Sequence, residues 1–90
     1  MYLHLGQSVV VHESEIVGVF DLDITSQSDI TRDYLTRSEK EGRVINVSEE
    51  IPKSYILCDD GITERVYISQ LSTSTLLRRW ESIQSREKDK

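Results

Sequence analysis

The stretch Ser54-Tyr55-Ile56-Leu57-Cys58-Asp59-Asp60-Gly61-Ile62-Thr63-Glu64-Arg65-Val66-Tyr67-Ile68 sets two β-rich runs on either side of an Asp-Gly turn. Asp and Gly tolerate the backbone conformations a tight reversal needs, so this segment predicts a β-hairpin. Pro52, the sole proline, cannot donate to a sheet ladder and belongs to the loop before Ser54. Working toward the N-terminus, Val44–Val47 lies between Gly42 and Ser48-Glu49-Glu50 and reads as a short strand. In Ile16–Leu22 apolar residues crowd around Gly18, which suggests a strand buried on both faces for part of its length, with Gly18 at a bulge or a close backbone approach. Tyr2–Leu5 and Val9–Val11, separated by Gly6-Gln7-Ser8, read as a strand pair.

Two helices complete the order. The first begins after Ser26-Gln27-Ser28: Ser28 can cap it, Asp29 suits the positive end of the helix dipole, and Gly42 stands where a C′ glycine is expected. Asp33 and Arg37 are spaced i,i+4 with the acid first, and Ile30, Tyr34 and Leu35 form a narrow apolar stripe. The second follows Ser72 or Ser74 as cap, with Leu76, Leu77, Trp80 and Ile83 at helical period and Arg78, Arg79, Ser82 and Arg86 on the other side. The pattern is β-β-β-α-β-β-β-α, an α+β domain with a mainly antiparallel sheet of up to six strands. Residues 1–84 form one domain, and 85–90 a charged flexible tail.

Ninety residues leave room for one domain, and Leu, Ile, Val and Phe supply 26 of them, enough for a modest core. No apolar run approaches the roughly 18 residues a membrane span needs, and Met1–Gly6 shows no signal-peptide pattern, so a cytoplasmic protein without a membrane partner is expected. A single cysteine, Cys58, excludes an internal disulfide and a thiolate-rich metal site. The net charge of -5 is unevenly placed. Residues 1–31 hold five acids and no Lys or Arg, whereas 32–90 carry eleven charges of each sign. With a pI near 4.9, the summed field repels nucleic acid, so any DNA contact has to come from local basic patches.

Catalytic and metal signatures are missing. His4 and His12, with Glu13 and Glu15 nearby, have no ligand spacing and read as ordinary histidines. Cys58 has no cation within three residues to activate it and reads as a buried, inert thiol. The run Ser69–Thr75 lacks a nucleophile elbow and suits turns and caps. Asp59-Asp60 and Glu49-Glu50 read as solvated acids rather than an acid–base pair. No enzyme, cofactor or small-molecule substrate is expected. What remains is cationic: Arg78, Arg79 and Arg86 on the last helix, and Lys53 with Arg43 around the Pro52 loop. Ile51, Ile62, Tyr55 and Tyr67 remain to be placed, and some of them are expected to face a second copy.

The segments Tyr2–Gly6, Ile16–Phe20, Pro52–Leu57 and Val66–Leu76 resemble the RemA/RemB family of bacterial extracellular-matrix (biofilm) regulators, closer to the RemB branch. The resemblance runs from about Tyr2 to Arg79. It implies a small non-enzymatic regulator of matrix gene transcription in a Gram-positive-type bacterium, a LytTR-like fold, ring assembly and DNA binding through arginines. At those arginine positions this chain has Glu15 before the third strand and Ile51 and Pro52 in the loop, with Lys53 as the adjacent cation. Arg79 matches a basic position of the last helix. The expected function is a homo-oligomeric ring or array binding DNA phosphates through Lys53, Arg78 and Arg79. The competing expectation is a protein-interaction module of the same fold that has lost DNA binding.

Overall fold

A computed structural model describes residues 1–22 and 29–88. The chain opens with β1 (Tyr2–Gly6) and β2 (Val9–His12), passes a single 3₁₀ turn (Glu13–Glu15) and enters β3 (Ile16–Asp21). Helix α1 (Asp29–Lys40) leads to β4 (Val44–Asn46), then β5 (Ser54–Asp59), β6 (Glu64–Ser69) and helix α2 (Thr73–Lys88). The fold is α+β. Ser26–Ser28 and the Ile30 and Arg86 side chains lie outside the described residues.

The single sheet expected from the sequence is instead two. β1 and β2 pair only with each other, antiparallel, while the other four strands form a sheet in the order β3-β5-β6-β4. Within that sheet β4 runs parallel to β6, which no local signal announces, because Val44–Asn46 is joined to β6 across the whole β5–β6 hairpin. Leu3, Leu5 and Val11 are buried in one cluster with Ile56, Cys58 and Tyr67 of the larger sheet, while Tyr2 and Val10 stay exposed.

Strand register assigns each sheet residue to a side. Ile56, Cys58 and Tyr67 share one face, where they pack with the hairpin's inner residues and with Leu76 and Ile83 of α2. Burying each of these large apolar side chains stabilises by about 1.5–3 kcal/mol. Trp80 packs on the margin of this cluster. The opposite face carries Phe20, Tyr55, Val66 and Glu64, and α1 reaches it through Tyr34. Two buried hydroxyls stitch the layers: Ser69 Oγ donates to the Leu5 carbonyl at 2.6 Å and Ser54 Oγ donates to the Leu71 carbonyl at 2.8 Å.

The punctuation residues act as their chemistry suggests. Ser72 caps α2, its Oγ accepting from the Thr75 N–H at 3.2 Å. Gly42, at φ +74°, ends α1 while Arg43 N–H donates back to the Ser38 carbonyl at 2.9 Å and Gly42 N–H to that of Glu39 at 3.0 Å, the paired bonds of a Schellman closure. Gly18 lies at an irregularity of its strand, and what approaches it is a side chain rather than another backbone. The β3–β5 register shifts between Ile16 and Gly18, and a Cβ on Gly18 would sit 2.7 Å from the Phe20 ring. The Asp59–Glu64 reversal is a four-residue loop whose turn is held by side chains, with Asp60 Oδ1 accepting from both Ile62 and Thr63 N–H at 2.8 Å. Helix α2 continues through Lys88, so residues 85–88 are helical. Among the described residues no helix is long and apolar enough to cross a membrane.

Candidate nucleic-acid interface

Helix α2 places the expected cations. Burial of Leu76 and Ile83 fixes its inward side, and rotation of about 100° per residue then turns Arg78 and Arg79 outward, where both are exposed. Arg79 also donates from Nη1 to the His4 carbonyl at 3.2 Å, a solvent-exposed tie between α2 and β1. Lys53 is exposed on the loop before β5. That loop is held by backbone, since Lys53 N–H donates to the Ser69 carbonyl at 2.9 Å and the Lys53 carbonyl accepts from Leu22 N–H at 3.0 Å. The structure thus fixes the backbone beside Lys53 and leaves its ammonium to solvent. Lys53 and the Arg78–Arg79 pair stand on separate elements, and no hydrogen bond or ion pair described here joins them.

The positions flanking these cations are not basic. Ile51 is 84% exposed and Pro52 is exposed beside it. Glu15 turns toward the sheet, where its carboxylate takes Arg65 Nη2 at 2.7 Å. Arg65 also donates from Nη1 to Tyr67 Oη at 3.0 Å, with its guanidinium carbon 5.6 Å from that ring's centroid. A second cluster lies on the α1 side of the sheet. Tyr34 Oη donates to Glu64 Oε1, and Arg43 Nη1 donates to the same oxygen at 2.7 Å. These two donors hold the Glu64 carboxyl below its ordinary range, and burial together with Glu64 pushes the Tyr34 phenol up. Neither cluster was visible in the sequence, because the partners are 21 to 50 positions apart.

Cys58 is fully buried, and burial pushes its thiol up to about 11, against a smaller downward pull from Arg65, so it stays protonated at neutral pH. His12 is engaged locally, its Nδ1 2.6 Å from Ser14 Oγ. His12 packs edge-on against Tyr2 at 5.2 Å, and among the described residues no group of three or more side chains is placed to hold a metal ion.

The RemA-like family model, described as extracellular matrix regulatory protein A-like, matches residues 2–80, from β1 into α2. The chain belongs to this family. It is also 34% identical over 79 residues to extracellular matrix regulatory protein B of Bacillus subtilis (strain 168), a match covering 88% of this chain and 89% of that protein. The matched region of this RemA-like chain includes Arg79, the hairpin and the β5–β6 pair that contribute to its core.

Proposed function

We propose that this chain regulates extracellular-matrix gene expression from the cytoplasm as a homo-oligomeric ring or array that contacts DNA phosphates through Arg78, Arg79 and Lys53. The observation that carries this reading is the charge of α2, whose sequence holds four cations against two acids in a chain of net charge -5. Family membership and the extracellular-matrix name of the Bacillus subtilis relative support the regulatory role. In this reading the domain works as a LytTR-like DNA-binding fold. Guanidinium and ammonium groups on solvent-facing positions suit phosphate oxygens, which give affinity without base readout. One subunit offers few such contacts against a repulsive field. Repetition by symmetry raises the effective concentration of each further contact once the first is made. Exposed Ile51, Ile62, Tyr2 and Val17 supply apolar surface for association.

A second reading, a protein-interaction module without DNA contact, is favoured by one observation. The loop that resembles a DNA-contacting segment of the family presents Ile51 and Pro52 to solvent, and Glu15 is already committed to Arg65. Titration of the purified chain against a promoter-length duplex at about 50 and about 200 mM salt separates the two, because released counterions set the slope. Affinity that drops steeply with salt and is lost in Arg78→Glu/Arg79→Glu supports DNA binding. No binding at the lower salt supports the interaction module, and a monomeric mass by light scattering defeats assembly in both.

A further inference from the structure

Of the chain's four glycines only Gly61 follows an Asp or Asn, and the Asp60–Gly61 bond lies exposed in the loop that joins β5 to β6. That dipeptide carries its own chemistry. The Gly61 amide nitrogen bonds to Asp60 Cγ, the carboxyl hydroxyl leaves with the amide hydrogen as water, and a succinimide ring closes. Water then adds at the α-carbonyl carbon of Asp60 and breaks its bond to the Gly61 nitrogen. The chain now continues through the β-carboxyl as isoaspartate, with no net change in mass. Glycine favours the closure because it has no side chain to crowd its nitrogen. The surroundings do not crowd it either, since a Cβ on Gly61, at φ +90°, would meet no atom within 4 Å.

What restrains the bond is hydrogen bonding at both reacting groups. Gly61 N–H, on the attacking atom, donates to Asp59 Oδ1 at 2.8 Å. Attack requires the nitrogen to shed that hydrogen, and a carboxylate beside it opposes the negative charge that develops. On the attacked group, Asp60 Oδ1 accepts from Ile62 and Thr63 N–H, both at 2.8 Å, which holds the carboxyl toward residues beyond the attacking nitrogen. Thr63 and Ile62 also keep this carboxyl below its ordinary range, so the neutral form that releases water is scarce at neutral pH. We propose that Asp60–Gly61 is the isoaspartate-forming site of this chain and that Asp59 is its guard, holding the Gly61 nitrogen from attack while the turn is folded. The bond then converts only through openings of the turn. Conversion is also self-reinforcing: it adds a backbone carbon between Asp59 and Glu64, the last paired residues of the hairpin, and the carboxyl that held Ile62 and Thr63 becomes main chain.

The test is to incubate the full chain warm in mildly acidic buffer, natively and in guanidinium chloride. Isoaspartate is counted by enzymatic methylation and located by mass spectrometry of the backbone fragments. Conversion at Asp60 is expected to be at least about tenfold slower in the native chain than in denaturant, a comparison that needs no variant. Asp59→Ala is expected to speed native conversion by about three- to tenfold, the factor that one lost hydrogen bond carries. Asp59→Asn keeps an acceptor oxygen without the charge and is expected to fall between Asp59→Ala and the wild type. In denaturant, wild type and Asp59→Ala are expected to convert alike. Equal native and denatured rates in the wild type overturn the proposal, as does isoaspartate that arises elsewhere in the chain and not at Asp60. Native conversion of Asp59→Ala no faster than that of the wild type removes Asp59 as the guard.

Discussion

The carboxylate of Glu15 and the guanidinium of Arg65 meet at 2.7 Å although 50 positions separate them in the chain. The pair ties the 3₁₀ turn before β3 to the start of β6, and both side chains are less than a third exposed. Removing the acid leaves a shielded cation whose other bond goes to Tyr67. Glu15→Ala is expected to lower stability by about 1–2 kcal/mol in urea unfolding, since hydrogen bonds to charged groups are worth more than neutral ones. An unchanged midpoint would mean that water replaces the carboxylate at no cost.

Gly18 and Phe20 form a lock-and-key pair within one strand, because the ring occupies the space a Cβ at position 18 would need. Gly18→Ala is expected to destabilise by about 1–3 kcal/mol through overpacking. In the double variant with Phe20→Leu the two losses are expected to be less than additive, measurable as a coupling energy in a double-mutant cycle. Strict additivity would show that the ring moves aside freely.

Acid sensitivity follows from the β5–β6 turn. Asp60 accepts backbone N–H groups from Thr63 and Ile62, which lower its carboxyl from the ordinary 3.8. A carboxyl depressed in the folded state contributes stability above its unfolded value and loses that contribution as pH falls through its folded value. Unfolding of Asp60→Asn is therefore expected to depend less on pH below about 4 than that of the wild type. Glu64 has the same sign through Tyr34 and Arg43, so Glu64→Gln is expected to flatten the curve further. Parallel curves for variant and wild type would remove both carboxylates from the account.

Cys58 is expected to resist thiol reagents at neutral pH. It is fully buried with its thiol pushed up to about 11. Labelling in native buffer is expected to be at least about a hundredfold slower than in denaturant, since the thiolate is the reacting form. Rapid native labelling would mean that the β5 core opens readily.

Buried hydroxyls give a last measurement. Ser69→Ala removes the donor to the Leu5 carbonyl, which is part of a fully buried residue, and is expected to cost about 1–3 kcal/mol. No loss in chemical denaturation would show that this carbonyl finds another partner.

Local chemistry was legible in the sequence and long-range placement was not. Gly42, Ser72, Gly18 and the Asp59–Gly61 turn act through neighbours a few positions away, so their residue types and spacing suffice to read them. The separation of β1–β2 from the larger sheet and the parallel pairing of β4 with β6 depend on which faces are buried after collapse, and alternation alone permits more than one arrangement. Arg78, Arg79 and Lys53 were read as cations and are exposed as cations, but the Arg79 bond to His4 and the Glu15–Arg65 pair had no signal along the chain.

The bond from Ser69 to Leu5 spans 64 positions, and Leu76 packs in the same cluster as Leu3 and Leu5. During synthesis the first hairpin therefore emerges long before the residues that cover it exist. A two-stranded hairpin has little stability of its own. The hairpin must wait, uncommitted, for the last quarter of the chain, and the five acids that follow it without a cation, Glu13 to Asp29, give residues 1–31 a net negative charge that discourages premature association with its siblings on the same message.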